Sequence, residues 1–182
     1  MNKPLETLQI LSHARHDWLN HIQLIDGYLS LKQPDKAREV IKRVIAQSQN
    51  ESEMMKLQAP AFAEKVLTFN WFHHAFSLSF EASVEDIWTD SDALLCACFD
   101  AFTSMMDRHS QSGADQDMEL MIQDSVDKQV TFHFQGVLLI NDRFLKETEQ
   151  FLATYSSTVD EWSLSEQECS FVLKPERDGT NT

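Results

Sequence analysis

Hydrophobic positions near the start of the chain recur at alternating steps of three and four: Leu8, Leu11, Trp18, Ile22, Ile25 and Leu29, with Arg15 as a polar break in the series. That spacing is a heptad seam, and it predicts one helix from Pro4 to about Leu31, roughly 40 Å long at 1.5 Å per residue. Leu5, Leu24, Tyr28 and Leu31 flank the seam, giving an apolar stripe too broad for one neighbouring helix to cover. Gln33-Pro34-Asp35 then interrupts the pattern, because proline disfavours helix at the residue before it and suits a helix's first turn. From Asp35 to about Leu57 a second amphipathic helix carries Ala37, Val40, Ile41, Val44, Ile45 and Ser48 on one face. So short a turn requires the two helices to pack antiparallel as a hairpin, and two hairpins associating as a four-helix bundle would cover the surplus apolar width. A homodimer is the expected assembly.

The period changes after Pro60, which divides the chain into a helical hairpin, 1–58, and a second domain, 59–182. Phe62 to about His73 predicts a short helix, after which Phe76, Leu78 and Phe80 alternate as in a half-buried strand. Thr89-Asp90-Ser91-Asp92 offers an N-cap to a helix over 93–108, whose inward residues are expected to include Leu94, Ala97, Cys98, Ala101 and Met105. Met118, Leu120 and Ile122 alternate, as do Val130, Phe132 and Phe134, with 124–127 as the turn between two strands. Asn141 can cap a helix ending near Tyr155, and Cys169, Phe171 and Leu173 indicate a last strand before a polar tail. Helices interleaved with strands predict an α/β sandwich with at least one antiparallel hairpin in its sheet.

Composition narrows the picture. The chain has 182 residues, 42% of them hydrophobic, enough to bury a core in one domain or two small ones. Four glycines and four prolines argue against a loop-rich or all-β protein. No apolar run approaches the roughly 20 residues of a membrane span, and a signal-peptide core is not apparent at the N-terminus, so a cytoplasmic protein without membrane contact is expected. Cys96, Cys98 and Cys169 lack metal-site spacing and read as buried, reduced thiols. The net charge of −14 is uneven: residues 1–50 hold seven basic and five acidic residues, the remainder eight basic and 24 acidic. Direct nucleic-acid binding by the acidic part is disfavoured, while the first fifty residues could steer toward an acidic partner.

The candidate chemistry lies in the first helix, in the box His16-Asp17-Trp18-Leu19-Asn20. Its H-D-x-x-N spacing makes His16 and Asn20 neighbours at i and i+4, with Asp17 one step around the helix. Taking Leu8 and Leu11 as core positions places Gln9, His13, His16, Asn20, Gln23 and Gly27 on the stripe farthest from the seam. That stripe is poor in long charged side chains, as a face kept clear for docking would be. His16 is the candidate nucleophile. A nucleophilic imidazole attacks through one nitrogen while the other keeps its proton, so Asp17 from the side and Asn20 from the next turn are candidate orienting groups. Arg15 could offset charge on a transferring phosphoryl group. Docking of a partner is expected on His13, Leu19 and Gln23, with Arg38 and Lys42 supplying nearby cations. In the second domain neither a Walker loop nor a G-x-G-x-x-G turn can be built from Gly113, Gly136 and Gly179, and the adjacent His73-His74 pair points to different sides.

The box His16-Asp17-Trp18-Leu19-Asn20, the following Gln23-Leu24-Ile25 and the downstream Leu67-Thr68-Phe69-Asn70-Trp71 together resemble the sporulation initiation phosphotransferase B family of Bacillus-type bacteria, over nearly the whole chain. The box alone is also similar to the phosphoacceptor box of citrate- and dicarboxylate-type sensor kinases. The family resemblance implies a dimeric four-helix bundle followed by a domain similar to a histidine-kinase ATPase domain that no longer uses ATP. It implies transfer of a phosphoryl group from the aspartate of a single-domain response regulator to His16, and on to the aspartate of a DNA-binding regulator that commits the cell to sporulation. No cofactor of its own is implied, since the response regulator brings Mg²⁺. Asp100 and Ser104 stand about where a kinase would carry paired asparagines. An active histidine-kinase fragment and a non-catalytic receiver-binding adaptor are the alternatives.

Overall fold

A computed structural model describes the backbone of residues 4–111 and 115–175, with side chains from Leu8 onward. Leu5, Gly113, Gly179 and the polar tail beyond residue 175 therefore lie outside the described side chains. The chain divides into two compact units, Met1–Glu51 and Ser52–Thr182.

The first unit is a helical hairpin of α1 (Pro4–Ser30) and the greater part of α2 (Pro34–Lys56). The turn has a specific mechanism. Lys32 takes a left-handed conformation (φ 54°), its N–H donates to the Leu29 carbonyl, and the Gln33 N–H reaches back to Tyr28 at 2.9 Å. This pair of bonds satisfies the last carbonyls of α1, and Pro34 then opens α2 where a missing N–H costs nothing. Ala37 and Val40 of α2 are buried, and Ile10, Ala14, His21, Ile25 and Tyr28 of α1 are half-buried. The seam expected to be the core of α1 behaves differently. Ile25 is partly shielded, but Leu8, Leu11, Trp18, Ile22 and Leu29 remain 52–65% exposed, and on α2 Ile41 and Ile45 are also open. One hairpin covers only one flank of the stripe, because a single neighbour shields about a third of a helix's circumference.

The second unit is a two-layer α/β sandwich that takes in the end of α2: Met54 and Leu57 are fully buried in its core. It continues through α3 (Pro60–Thr68), β1 (Ser77–Ser83), α4 (Asp92–His109), β2 (Asp117–Gln123), β3 (Gln129–Gln135), α5 (Asp142–Thr154), β4 (Val159–Leu164) and β5 (Glu168–Leu173). The sheet order is β1-β2-β3-β5-β4, with β1 parallel to β2 and every other pair antiparallel. The β2–β3 hairpin forms as its alternation predicts, pairing Leu120 with Phe132. Phe132 and Phe171 are also register partners and stack at 4.6 Å, and Phe102 of α4 and Phe151 of α5 pack on Phe171 at 4.8 and 5.3 Å. All three thiols are free, and burial raises them, Cys96 to about 11 and Cys169 to about 12, with Cys98 pushed up further.

Three local expectations need correction, and one strand escaped the sequence reading. The helix after Pro60 stops at Thr68 and gives way to a 3₁₀ turn, Phe69–Trp71, instead of running to His73. On α4, Ala97 is exposed, and the buried face is Leu95, Cys98, Phe99, Phe102, Thr103, Met105, Met106 and His109. The large aromatic side chains at 99 and 102 set the rotation of the helix. The N-cap residue of α4 is Ser91, whose side chain makes no capping bond. Asp92 instead accepts the Ala61 and Phe62 N–H groups at 3.1 and 2.8 Å, capping α3 from a distance of thirty residues. Finally, β4 carries no clean alternation, because a register shift between Asp160 and Ser163 and a positive φ at Glu161 (51°) break its period.

Candidate functional site

The site is built by one helix. Near the middle of α1, His16 projects into solvent with 74% of its side chain exposed. The i, i+4 spacing brings Asn20 back over it: Asn20 Nδ2 lies 3.1 Å from His16 Nδ1. Asp17 flanks the same nitrogen more loosely, with its Oδ1 at 3.9 Å and its side chain half exposed. Nδ1 is therefore engaged from two sides by polar groups of its own helix. An amide can offer its NH₂ there or, after a half-turn, its oxygen. With the amide's NH₂ at Nδ1 the ring proton lies on Nε2; with its oxygen there the proton lies on Nδ1 and the lone pair is on Nε2.

The remaining sequence candidates divide by place. His13, Leu19 and Gln23 are exposed on α1, and Leu19 keeps 48% of its surface. Arg15 reaches back along the helix, its Nη2 3.5 Å from Ser12 Oγ, and is not drawn to the imidazole. Arg38 and Lys42 are exposed on α2, where Arg38 pairs with Asp35 at 3.4 Å. Gly27 sits on the same open stripe, and a Cβ added there would meet nothing within 4 Å, so no close approach explains it.

In the second unit the positions compared with kinase asparagines are occupied otherwise. Asp100 is ion-paired with Lys65 at 2.8 Å, and Ser104 is exposed. Two clusters there escaped the sequence reading. Glu147 of α5 receives Arg108 at 2.8 Å, the buried His109 at 3.3 Å and Arg143 at 2.9 Å. The Arg108 hydrogen bond, outweighing the opposing effect of burial, leads the influences that hold its carboxyl down at about 2. His74 stacks on Phe69 at 3.7 Å and meets Asp107 at 2.6 Å, while its neighbour His73 is exposed. The i, i+4 spacing of Arg143 and Glu147 was visible in the sequence, but the α4 partners 38 and 39 residues away were not. Among the described residues no group of three or more His, Cys, Asp or Glu side chains is arranged to hold a metal ion, and no helix is long and apolar enough to cross a membrane.

The hairpin that bears the exposed His16 has a family match: residues 1–57 match the family described as sensor kinase SpoOB-type, alpha-helical domain. Residues 58–176 match sporulation initiation phospho-transferase B, C-terminal, and the chain belongs to the sporulation initiation phosphotransferase B family. It is 41% identical over 76 residues to sporulation initiation phosphotransferase B of Bacillus subtilis (strain 168), a stretch covering 42% of this chain and 40% of that protein. It also resembles the blue-light activated histidine kinase EL346 of Erythrobacter litoralis, at 10% identity and a TM-score of 0.43, over all of this chain and 63% of that one.

Proposed function

We propose that the protein is a phosphorelay phosphotransferase that carries a phosphoryl group from the aspartate of one response regulator to His16 and on to the aspartate of a second regulator controlling sporulation. The observation that carries this reading is His16 itself: exposed, on a face free of bulky charge, with Nδ1 engaged by Asn20 at 3.1 Å. In the first step the Nε2 lone pair attacks phosphorus, the N–P bond forms, the P–O bond to the donor aspartate breaks, and that carboxylate leaves. The second step is the reverse, with the acceptor's carboxylate attacking and the imidazole leaving; the Nδ1 proton stays in place, accepted by the Asn20 amide when its oxygen is turned to the ring, with the Asp17 carboxylate alongside. Phosphoryl transfer asks mainly for positioning and charge neutralisation. The receiver supplies its acidic pocket and Mg²⁺, so this chain needs no cofactor of its own, only an oriented histidine and a docking surface. His13, Leu19 and Gln23 form that surface, while Arg15, Arg38 and Lys42 steer an acidic receiver across a Debye length of about 8–10 Å.

The exposed seam supports a homodimer. Leu8, Leu11, Trp18, Ile22 and Leu29 lie on one flank of α1, turned away from the His16 stripe, so two hairpins can bury their seams without covering the nucleophile. The reaction partners are soluble receiver domains, which fits a cytoplasmic protein that contacts neither nucleic acid nor membrane.

The test is to incubate the protein with a phosphorylated receiver and look for acid-labile, alkali-stable phosphate on His16. Labelling from ATP alone would instead make the chain an active kinase, and binding with no phosphohistidine would make it an adaptor.

A further inference from the structure

Several side-chain amides of the sandwich are fixed by their partners. Asn70 donates from Nδ2 to the Leu78 carbonyl at 2.7 Å and accepts the Leu78 N–H on Oδ1 at 2.8 Å. Gln116 donates from Nε2 to the carbonyls of Ala75 and Gln111, and Asn141 accepts two backbone N–H groups on its side chain. A carbonyl only accepts and a backbone N–H only donates, so each of these amides has one orientation. Asn20 is different. Its partner is His16 Nδ1, 3.1 Å from Nδ2, and a ring nitrogen accepts when it carries a lone pair but donates when it carries the proton. Both residues are exposed, and the Asn20 side chain makes no second hydrogen bond among the described residues. The terminal torsion of an asparagine is broad and roughly two-fold, so both orientations of this amide are open.

The two orientations differ in what they do to the ring. With NH₂ toward Nδ1, the lone pair lies on Nδ1, and the neutral imidazole keeps its proton on Nε2, the nitrogen that has to attack phosphorus. With Oδ1 toward Nδ1, the proton lies on Nδ1, and Nε2 presents its lone pair. A half-turn of one amide, with proton exchange through water, therefore decides which nitrogen is the nucleophile. The other charged groups around the ring come from the same helix. Asp17 Oδ1 stands 3.9 Å from Nδ1, beyond hydrogen-bond distance, so the amide is the nearer partner. Arg15 is turned to Ser12 Oγ at 3.5 Å, and His13 lies one turn earlier on the same side of α1.

We propose that Asn20 is a positioning residue that gates His16 through its amide: NH₂ toward the ring is the closed, resting state, and oxygen toward the ring is the open one. The proposal rests on His16 being the phosphoacceptor. In the open state the Nε2 lone pair attacks phosphorus, the N–P bond forms, the P–O bond to the donor aspartate breaks with its electron pair leaving on the carboxylate, and the ring proton stays on Nδ1 against Asn20 Oδ1. In the closed state the same attack first requires loss of the proton from Nε2.

The experiment uses the full chain with isotope-labelled histidine at about pH 8.5, where imidazole is neutral. Two-bond proton–nitrogen correlation spectra report the ratio of the two His16 tautomers in the unsubstituted chain, in Asn20→Asp, whose carboxylate only accepts, and in Asn20→Leu, which does neither. Asp17 is kept in all three. Taking Asn20→Leu as the reference, the unsubstituted chain should be displaced toward the Nε2–H form and Asn20→Asp toward the Nδ1–H form, each by about two- to tenfold, the range a single hydrogen bond spans. With phosphorylated receiver at saturation, so that docking drops out, Asn20→Asp should label His16 faster than Asn20→Leu by the factor that separates their Nδ1–H fractions. One ratio common to all three proteins would overturn the gate, as would displacement of the unsubstituted chain to the same side as Asn20→Asp, or labelling rates indifferent to the ratio. If the ratios separate as expected but His16 takes no label even in the unsubstituted chain, the phosphotransferase reading falls and the gate stands as a property of the helix.

Discussion

In the hairpin, Trp18 and Ile22 keep 59% and 55% of their surface open, whereas in the sandwich Phe62, Phe102, Phe132, Phe134, Phe144 and Phe171 show 1% or less. The polar groups divide in the same way. On α1 the side-chain contacts of His16, Asn20 and Arg15 stay within about one turn of the same helix, while in the sandwich Asp92, Asp107, Asp124 and Glu147 each tie together segments thirty or more residues apart. The sandwich closes its own core. Among the described residues the hairpin leaves an apolar face exposed, together with the exposed His16. The exposed histidine thus belongs to the unit with the open apolar face, and the closed core belongs to the other.

The comparison breaks most sharply at the histidines. His16→Gln should abolish phosphoryl transfer while leaving the thermal transition unchanged, because the side chain is exposed and outside the seam. His74→Gln should do the reverse, lowering stability through loss of its contact with Asp107 while sparing transfer. Phosphohistidine assays and calorimetry on the two variants check this, and residual transfer in His16→Gln would move the acceptor to His13 or His21.

Next in size come the two kinds of apolar residue. Phe132→Ala should cost about 3–5 kcal/mol in urea unfolding of the sandwich. Ile22→Asp should leave that transition alone and instead separate the hairpins, seen as a halved sedimenting mass.

The glycines sharpen the contrast, since one substitution should have opposite signs in the two regions. Gly136→Ala would set a Cβ 2.7 Å from Gln116 Oε1 and 2.8 Å from Phe134 Cζ, and should destabilise by about 1–3 kcal/mol. Gly27→Ala meets open space on a helix and should stabilise the hairpin by about 1 kcal/mol. Equal effects in denaturation would mean that the open stripe of α1 is not open.

A further contrast is one of pH. Glu147 is held at about 2 against an ordinary 4.5, so its contribution to stability is complete above pH 4.5 and is lost as pH falls toward 2. Glu147→Gln should flatten that part of the stability profile of the sandwich. Gln23→Ala, on the exposed stripe of α1, should leave the profile as it is.

The sequence by itself determined what depends on neighbours a few residues apart. The i, i+4 spacing places Asn20 over His16, Pro34 opens α2, Asn141 caps α5 by accepting the Arg143 and Phe144 N–H groups, and strict alternation sets the β2–β3 register. The excess width of α1's apolar stripe was legible for the same reason, as a property of one helix. Tertiary structure alone decided the rest. Nothing within five residues of Asp92 says that it caps α3, nor do Arg108 and His109 announce Glu147, because each bond closes a loop of about thirty to forty residues. The rotation of α4 followed from the rings it meets, Phe99 against Phe62 and Phe69 and Phe102 against Phe132 of β3 and Phe171 of β5, a packing choice that a period of 3.6 leaves open over neighbouring positions. β4 was hidden because its bulge erases the alternation that marks a strand, and only pairing with β5 makes it one.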